Sequence, residues 1–280
     1  MSLRFPRPES TSPKAAPKPQ APATRPILGY CTNVHAGLSL DEIKANLETH
    51  TLEVKRQVSP DAPMAVGLWL PANTVLEFVP PERDGGLDVG MLKAFRDWLE
   101  KRGLYAYSLN GFPVTNFHEP VVKHLAYYPD WSATERLNYT IALAMILHHL
   151  LPQGAEGSIS TLPIGWAQSV EAGWADNICD MLEFLAEFEQ ETGRFIHLDI
   201  EPEPGCEVED TMSLIMYLTV MEMQSGVDPD VLHRHLRVCL DVCHTAVMFE
   251  EPTFMLEALR EAGWSVGKVQ ISSEIGRAHV

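Results

Sequence analysis

FIHLDIE, residues Phe195–Glu201, decides the fold. Side chains alternate faces along a strand. Ile196, Leu198 and Ile200 therefore make one apolar face that can pack on helices. His197, Asp199 and Glu201 share the other face, which in a barrel points inward. Polar groups stacked along an interior are costly unless paired or liganded. Two accounts are open: a hydrogen-bonded interior network, or a site. Glu201 ends the strand, where an exposed site carboxylate belongs, and His197 is a candidate substrate-binding residue.

Outward from this strand, apolar runs alternate with helical patterns. Strands are expected at 27–32, 64–70, 104–109, 157–162, 195–200, 237–241 and 265–271. Helices are expected from Ser39, over 87–101, from Ser132 to Leu151, and over about 170–191, 208–223, 228–235 and 251–262. Ser39 with Glu42, and Ser132 with Glu135, have capping-box spacing. Strict βα alternation predicts a parallel sheet, which a doubly wound sheet or a (β/α)8 barrel would satisfy. CTNVHAG after the first strand is not a Gly-rich phosphate loop. Polar residues recur at strand C-termini, where barrel enzymes place their chemistry. Both points favour a TIM barrel, with seven strands in view.

The chain ends add two expectations. Residues 1–26 hold 7 of the 21 prolines, five basic residues and one acid, with little to bury. They are expected to be a disordered tail, leaving residues 27–273 as the barrel domain. The last seven residues, EIGRAHV (Glu274–Val280), back-translate to a common sequencing-adapter oligonucleotide. The expected native frame thus ends near Ser273, and the barrel is truncated after its seventh strand.

The 280 residues are 45% hydrophobic and 21% charged, enough for a sizeable core. The net charge is −17, and the tail's +4 leaves −21 on the body. That balance disfavours nucleic acid and anionic membrane surfaces as partners. Five irregularly spaced cysteines, no secretory signal and no apolar run long enough to span a bilayer predict a cytoplasmic protein with reduced thiols. Cys239 and Cys243 lack a second pair, so they read as buried or helix-face thiols rather than a zinc knuckle.

The sixth strand ends in CLDVCH, where Asp241 and His244 form D-x-x-H across a strand-to-loop turn. With Glu201 on the preceding strand end, two carboxylates and an imidazole suit a divalent Mn, Mg, Zn or Fe. An Asp capping the next helix beside a buried neutral His is the structural alternative. Glu203, in the PEPGCEVED loop, and His35 are candidate proton-transfer residues. Asn33, Asn110, His118, Lys268 and Gln270 are further candidate substrate contacts, and Trp69 a candidate stacking wall. A Lys–Asp interior pair accounts equally well for Lys268. No G-x-S-x-G, Walker loop or H-E-x-x-H is present.

YCTNVHAG, SLNGFP, GSISTLP, LDIEPEPGC, CLDVCH and KVQISS, in this order, resemble the EboE family of metabolite-traffic proteins. The resemblance spans about 28–273 and implies a xylose-isomerase-like TIM barrel. It also implies a role in handling or exporting a small metabolite precursor, with partner proteins of an export pathway. The broader superfamily holds sugar isomerases, epimerases and endonuclease-IV-like enzymes. Its pattern is a strand-end Glu, an Asp with His three residues on, then a later His and Glu. Glu201, Asp241 and His244 match the first three; Gln270 stands near the later His, and the final Glu would lie beyond Ser273. Three functions follow as expectations: metabolite traffic at a barrel-mouth site, metal-dependent isomerisation or epimerisation of a sugar or sugar phosphate, and an endonuclease, which the acidity disfavours.

Overall fold

A computed structural model describes residues 26–79, 86–118 and 122–273. The expected tail, apart from Pro26, and the terminal heptapeptide lie outside the described residues. Seven strands form one sheet: β1 (Gly29–Cys31), β2 (Met64–Trp69), β3 (Leu104–Asn110), β4 (Gly157–Thr161), β5 (Ile196–Ile200), β6 (Leu236–Asp241) and β7 (Val266–Gln270). Their spatial order is their chain order, and every neighbouring pair is parallel. The sheet curls until β7 meets the middle strands, with Lys268 Nζ donating to Ser160 Oγ on β4 at 3.1 Å. Among the described residues no pairing joins β1 to β7, so the barrel is open along that seam.

Helices cover the outside. In chain order they are α1 (Leu40–Asn46), a π-helical turn (Leu47–Thr51), α2 (Leu52–Val58), α3 (Ala72–Phe78), α4 (Val89–Glu100) and α5 (Thr134–Leu150). Then follow α6 (Trp174–Thr192), α7 (Thr211–Gln224), α8 (Pro229–His235), α9 (Val242–Val247) and α10 (Pro252–Glu261). A 3-10 turn, Lys123–Tyr127, precedes α5. The continuous core runs between sheet and helices through Leu68, Leu109, Leu143, Ile159, Leu182, Leu198 and Leu232. Strands covered on both faces read as near-continuous apolar runs, as all six buried residues of β2 do.

The Ser39–Glu42 capping box forms as its spacing predicts. The Ser132–Glu135 box does not: α5 begins after Ala133 with no side-chain cap. The Ser132 hydroxyl donates instead to Asp130 Oδ1 at 2.5 Å. Short α3 was not foreseen, because seven residues carry too little periodicity, whereas α9 is the helix that the capping alternative for Asp241 implies, and Asp241 does cap it. Gly267 is fixed by close approach: a Cβ there would lie 2.1 Å from Asp199 Oδ1. Only the bare backbone lets β7 cross the polar interior of β5.

Candidate functional site

Three strand ends converge on the C-terminal side of the sheet. Glu201 follows β5 and is 4% exposed; Asp241 ends β6 and is 6% exposed. Gln270, the last residue of β7, places its Nε2 amide between them, 2.5 Å from Glu201 Oε1 and 3.5 Å from Asp241 Oδ2. Asp241 Oδ1 accepts from the Cys243 amide at 2.8 Å, the His244 amide at 3.4 Å and Ser272 Oγ at 2.5 Å. That cap turns the chain into α9 and aims His244 back toward the mouth. His244 Nδ1 donates to the Pro202 carbonyl at 2.8 Å. Its Nε2 meets Glu203 Oε2 at 2.8 Å, and Tyr127 donates to Glu203 Oε1 at 3.2 Å. Glu201 Oε2 is buried with no hydrogen-bond partner.

Burial pushes the Glu201 carboxyl up to about 7; His244 opposes the rise, and the Asp241 charge adds to it. Burial alone would lower the His244 imidazole. The hydrogen bond and charge of Glu203, with Glu201 and Asp241 behind it, outweigh burial and lift it to about 10. Burial and the Glu203 charge raise the Tyr127 phenol, so it is the donor to Glu203.

The donors fit a divalent cation in one decisive respect. A buried carboxylate oxygen without a partner, beside a second carboxylate, is a poor arrangement until a cation answers it. The grouping differs from the expected one. Among the described residues, Asp241, His244 and Cys243 bring one donor atom each within 4.8 Å of one another, and Glu201 is not of that set. The Gln270 amide is wedged between the carboxylates, and His244 Nδ1, held on Pro202, lies 3.9 Å from Glu201 Oε1. Oxygen donors suit Mg or Mn, and a thiol in the set shifts preference toward zinc. Cys239 and Cys243 are both buried; Cys239 fits the reading as a structural thiol, whereas Cys243 stands with Asp241 and His244.

The other sequence candidates fall into three places. Asn33, His35 and His118 gather near the ends of β1–β3. There His35 stacks on His50 at 4.2 Å between ring centroids, and its Nε2 meets the Tyr30 hydroxyl at 2.8 Å. Burial, then the charges of His50 and His118, lower the His35 pKa. Asn33 Oδ1 is buried without a hydrogen-bond partner, and His118 leans on Trp69. Asn110 serves its own turn, accepting from the Phe112 amide at 2.9 Å. His197 lies deeper, 2.6 Å from Asp199 Oδ1 and 3.4 Å from Glu156, and the structure does not bring it to the mouth. Lys268 is likewise interior, held on Ser160.

Tyr127 escaped the sequence reading. It sits 76 residues from Glu203, and HLAYYP shows only a loop. With Phe112 and Trp166 it makes an aromatic wall beside the carboxylates, ring centroids 5.7 and 4.9 Å away. Gly205 (φ +92°) lets the PEPGC loop pass under that wall, since a Cβ there would lie 2.5 Å from the Trp166 ring.

No protein-family model matches the chain, and no curated protein does. The resemblance to EboE proteins gains no support there. Solved structures do match. One is a D-allulose 3-epimerase from Methylomonas sp. in complex with D-allulose, 14% identical, TM-score 0.51, over 90% of this chain and 75% of that one. The fold is a TIM barrel, open along one seam. A xylose isomerase domain protein from Alicyclobacillus acidocaldarius aligns at 13% identity and TM-score 0.48, over 88% of this chain and 77% of that one. A zinc-bound IOLI protein aligns at 14% and 0.45, over 84% and 68%. At such identities the likeness is one of fold. In this TIM barrel, as in others, strand C-termini carry the polar cluster. Among the described residues no helix is long and apolar enough to cross a membrane.

Proposed function

We propose that the protein is a metal-dependent isomerase or epimerase of a small polyhydroxylated carbonyl compound. The observation that carries this reading is Glu201 Oε2, a buried and unpartnered carboxylate oxygen at the mouth of the barrel. Glu201 and Asp241, with Cys243 or with His244 Nδ1 once it releases the Pro202 carbonyl, would hold a divalent Mn, Zn, Mg or Fe. Such an ion, when bound, polarises a carbonyl or enediolate oxygen. Glu203 would take the proton from the carbon beside that carbonyl. His244 would orient Glu203 through Oε2, and Tyr127 through Oε1. Phe112, Tyr127 and Trp166 exclude water along one wall. His35 is the second proton-transfer candidate, and Asn33, His118 and Gln270 would contact substrate. The epimerase among the fold's relatives supports this reading. A traffic role with export partners would use the same mouth without turnover, and no observation favours it over catalysis.

The test is metal content together with solvent exchange. The full chain, loaded with Mn²⁺ and dialysed, is expected to keep one ion and to exchange deuterium from D2O into a ketohexose next to its carbonyl. Glu201→Gln with Asp241→Asn is expected to lose both. Wild-type protein that is folded, metal-free and inert in exchange would overturn the reading.

A further inference from the structure

α7 differs from its neighbours on the outside of the barrel. The outer faces of α4 and α6 are charged: Lys93 pairs with Asp97 at 2.6 Å on α4, and Glu183, Glu187 and Glu191 are exposed on α6. α7 reads TMSLIMYLTVMEMQ, and its inward residues are Thr211, Leu214, Leu218 and Met221. Opposite them stand Met212, Met216, Thr219, Val220 and Met223, all exposed, Met216 by 57% and Met223 by 79%. The Thr219 hydroxyl donates to the Ile215 carbonyl at 2.7 Å, so the stripe offers no free hydroxyl donor. Phe249, 94% exposed, stands beside the first turn, because its neighbour Glu250 takes the Thr211 amide at 3.0 Å. A helix apolar on its outer face as well as its inner one belongs in an interior.

We infer that this face is the contact between two copies of the chain, an antiparallel pairing of α7 with α7 about a two-fold axis. The claim is independent of the chemistry at the mouth. Spacing supports a second copy as the occupant. Met212, Met216, Thr219 and Met223 follow one another at intervals of 4, 3 and 4, the heptad spacing of a helix–helix seam. That order reads the same from either end, as a self-complementary contact requires. In the antiparallel pair Met212 of one copy meets Met223 of the other, and Met216 meets Thr219. Charge supports the same occupant. The chain carries −17, yet α7 holds one charged residue, Glu222, which meets His233 at 3.3 Å. Carboxylates would recruit a basic partner, whereas a face cleared of them lets an equally acidic body approach without like-charge repulsion. The basic first 25 residues, with only Met1, Leu3 and Phe5 as large apolar side chains, match the face poorly for the same reason. Area agrees: with Phe249, these exposures leave on the order of 700 Å² of apolar side chain open, near the ~800 Å² that each partner of a standard interface buries. Methionines suit such a contact because they adapt to an opposing surface.

The experiment is sedimentation velocity with light scattering on the full chain at micromolar concentration. Wild type is expected at twice the chain mass. Met212→Glu with Met223→Glu, and Met212→Lys with Met223→Lys, each set like charges against one another, and each is expected at the mass of one chain. Mixing the two variants sets Glu against Lys and is expected to restore the dimer. Leu76→Glu, on the exposed side of α3, is expected to leave the dimer intact. Far-UV circular dichroism and thermal melts check that each variant is folded. A wild-type dimer that persists in both charge variants would place the contact elsewhere and overturn the inference. A wild-type monomer would overturn it too: Met216 resisting hydrogen peroxide would then put the chain's own N-terminal segment on the face, and Met216 oxidising freely would leave the face to an unlike partner.

Discussion

Two polar clusters share the interior of this barrel and differ in whether they are finished. In the lower one, His197 lies between Asp199 and Glu156. The Ser158 hydroxyl donates to Asp199 Oδ2, and Arg237 bonds Glu156 at 3.0 Å. Burial opposes charge on His197, yet Asp199 and Glu156 together raise its pKa. Two residues further along the same face of β5, Glu201 has one oxygen on Gln270 and the other on nothing. The same pleat thus yields a carboxylate answered at both oxygens, Asp199, and one answered at a single oxygen, Glu201. A satisfied buried cluster holds the fold, whereas a deficient one is stable only because the rest of the molecule supports it.

Breaking the closed cluster is the largest expected effect. Asp199→Ala strands a buried imidazole, and unfolding in urea is expected to show a loss of about 3–5 kcal/mol, with any metal content of the surviving folded protein unchanged. Breaking the open cluster is expected to do the reverse. In the metal-free protein Glu201 has a folded pKa near 7 against an unfolded value near 4.5. Between those pH values the folded state binds the extra proton, so stability falls as pH rises and the loss is complete above about pH 7. Glu201→Gln removes that fall and is expected to be more stable than wild type by about 3 kcal/mol at pH 8, with no such gain at pH 4.5. Thermal melts in chelator at the two pH values check it.

The sign can then be turned by a cation. Mn²⁺ at a hundred times its dissociation constant is expected to stabilise wild type by about 2.7 kcal/mol at pH 8, and to leave Glu201→Gln unmoved in the same melts. The smallest change expected is Tyr127→Phe. It removes one hydrogen bond to Glu203 and is expected to lower stability by about 1 kcal/mol in urea, with slower deuterium exchange and metal content unchanged.

The sequence made the barrel legible because parallel strands between helices leave a strong period, and each expected strand from 27 to 271 overlaps an observed one. Helix starts were less secure: Ser39 and Glu42 bond each other as their spacing predicts, whereas Ser132 had Asp130 closer at hand. Within the candidate site, Glu201, Asp241 and Gln270 were readable from strand ends, since the parity of β5–β7 sets which face they occupy. The D-x-x-H spacing placed Asp241 and His244 together, though Cys243 rather than Glu201 stands with them. What stayed hidden depends on long-range packing. Tyr127 reaches Glu203 across 76 residues, and His197 meets Glu156 across the sheet. Strand parity allowed a mouth role and an interior network alike for His197, and only the three-dimensional neighbours place it in the network.

The most direct test of the central claim is metal content per folded chain, measured by mass spectrometry after Mn²⁺ or Zn²⁺ loading, for wild type beside Glu201→Gln. One ion per wild-type chain and a near-complete loss in the variant are expected, with both proteins equally folded. Equal metal content in the two, or none in either, would contradict it.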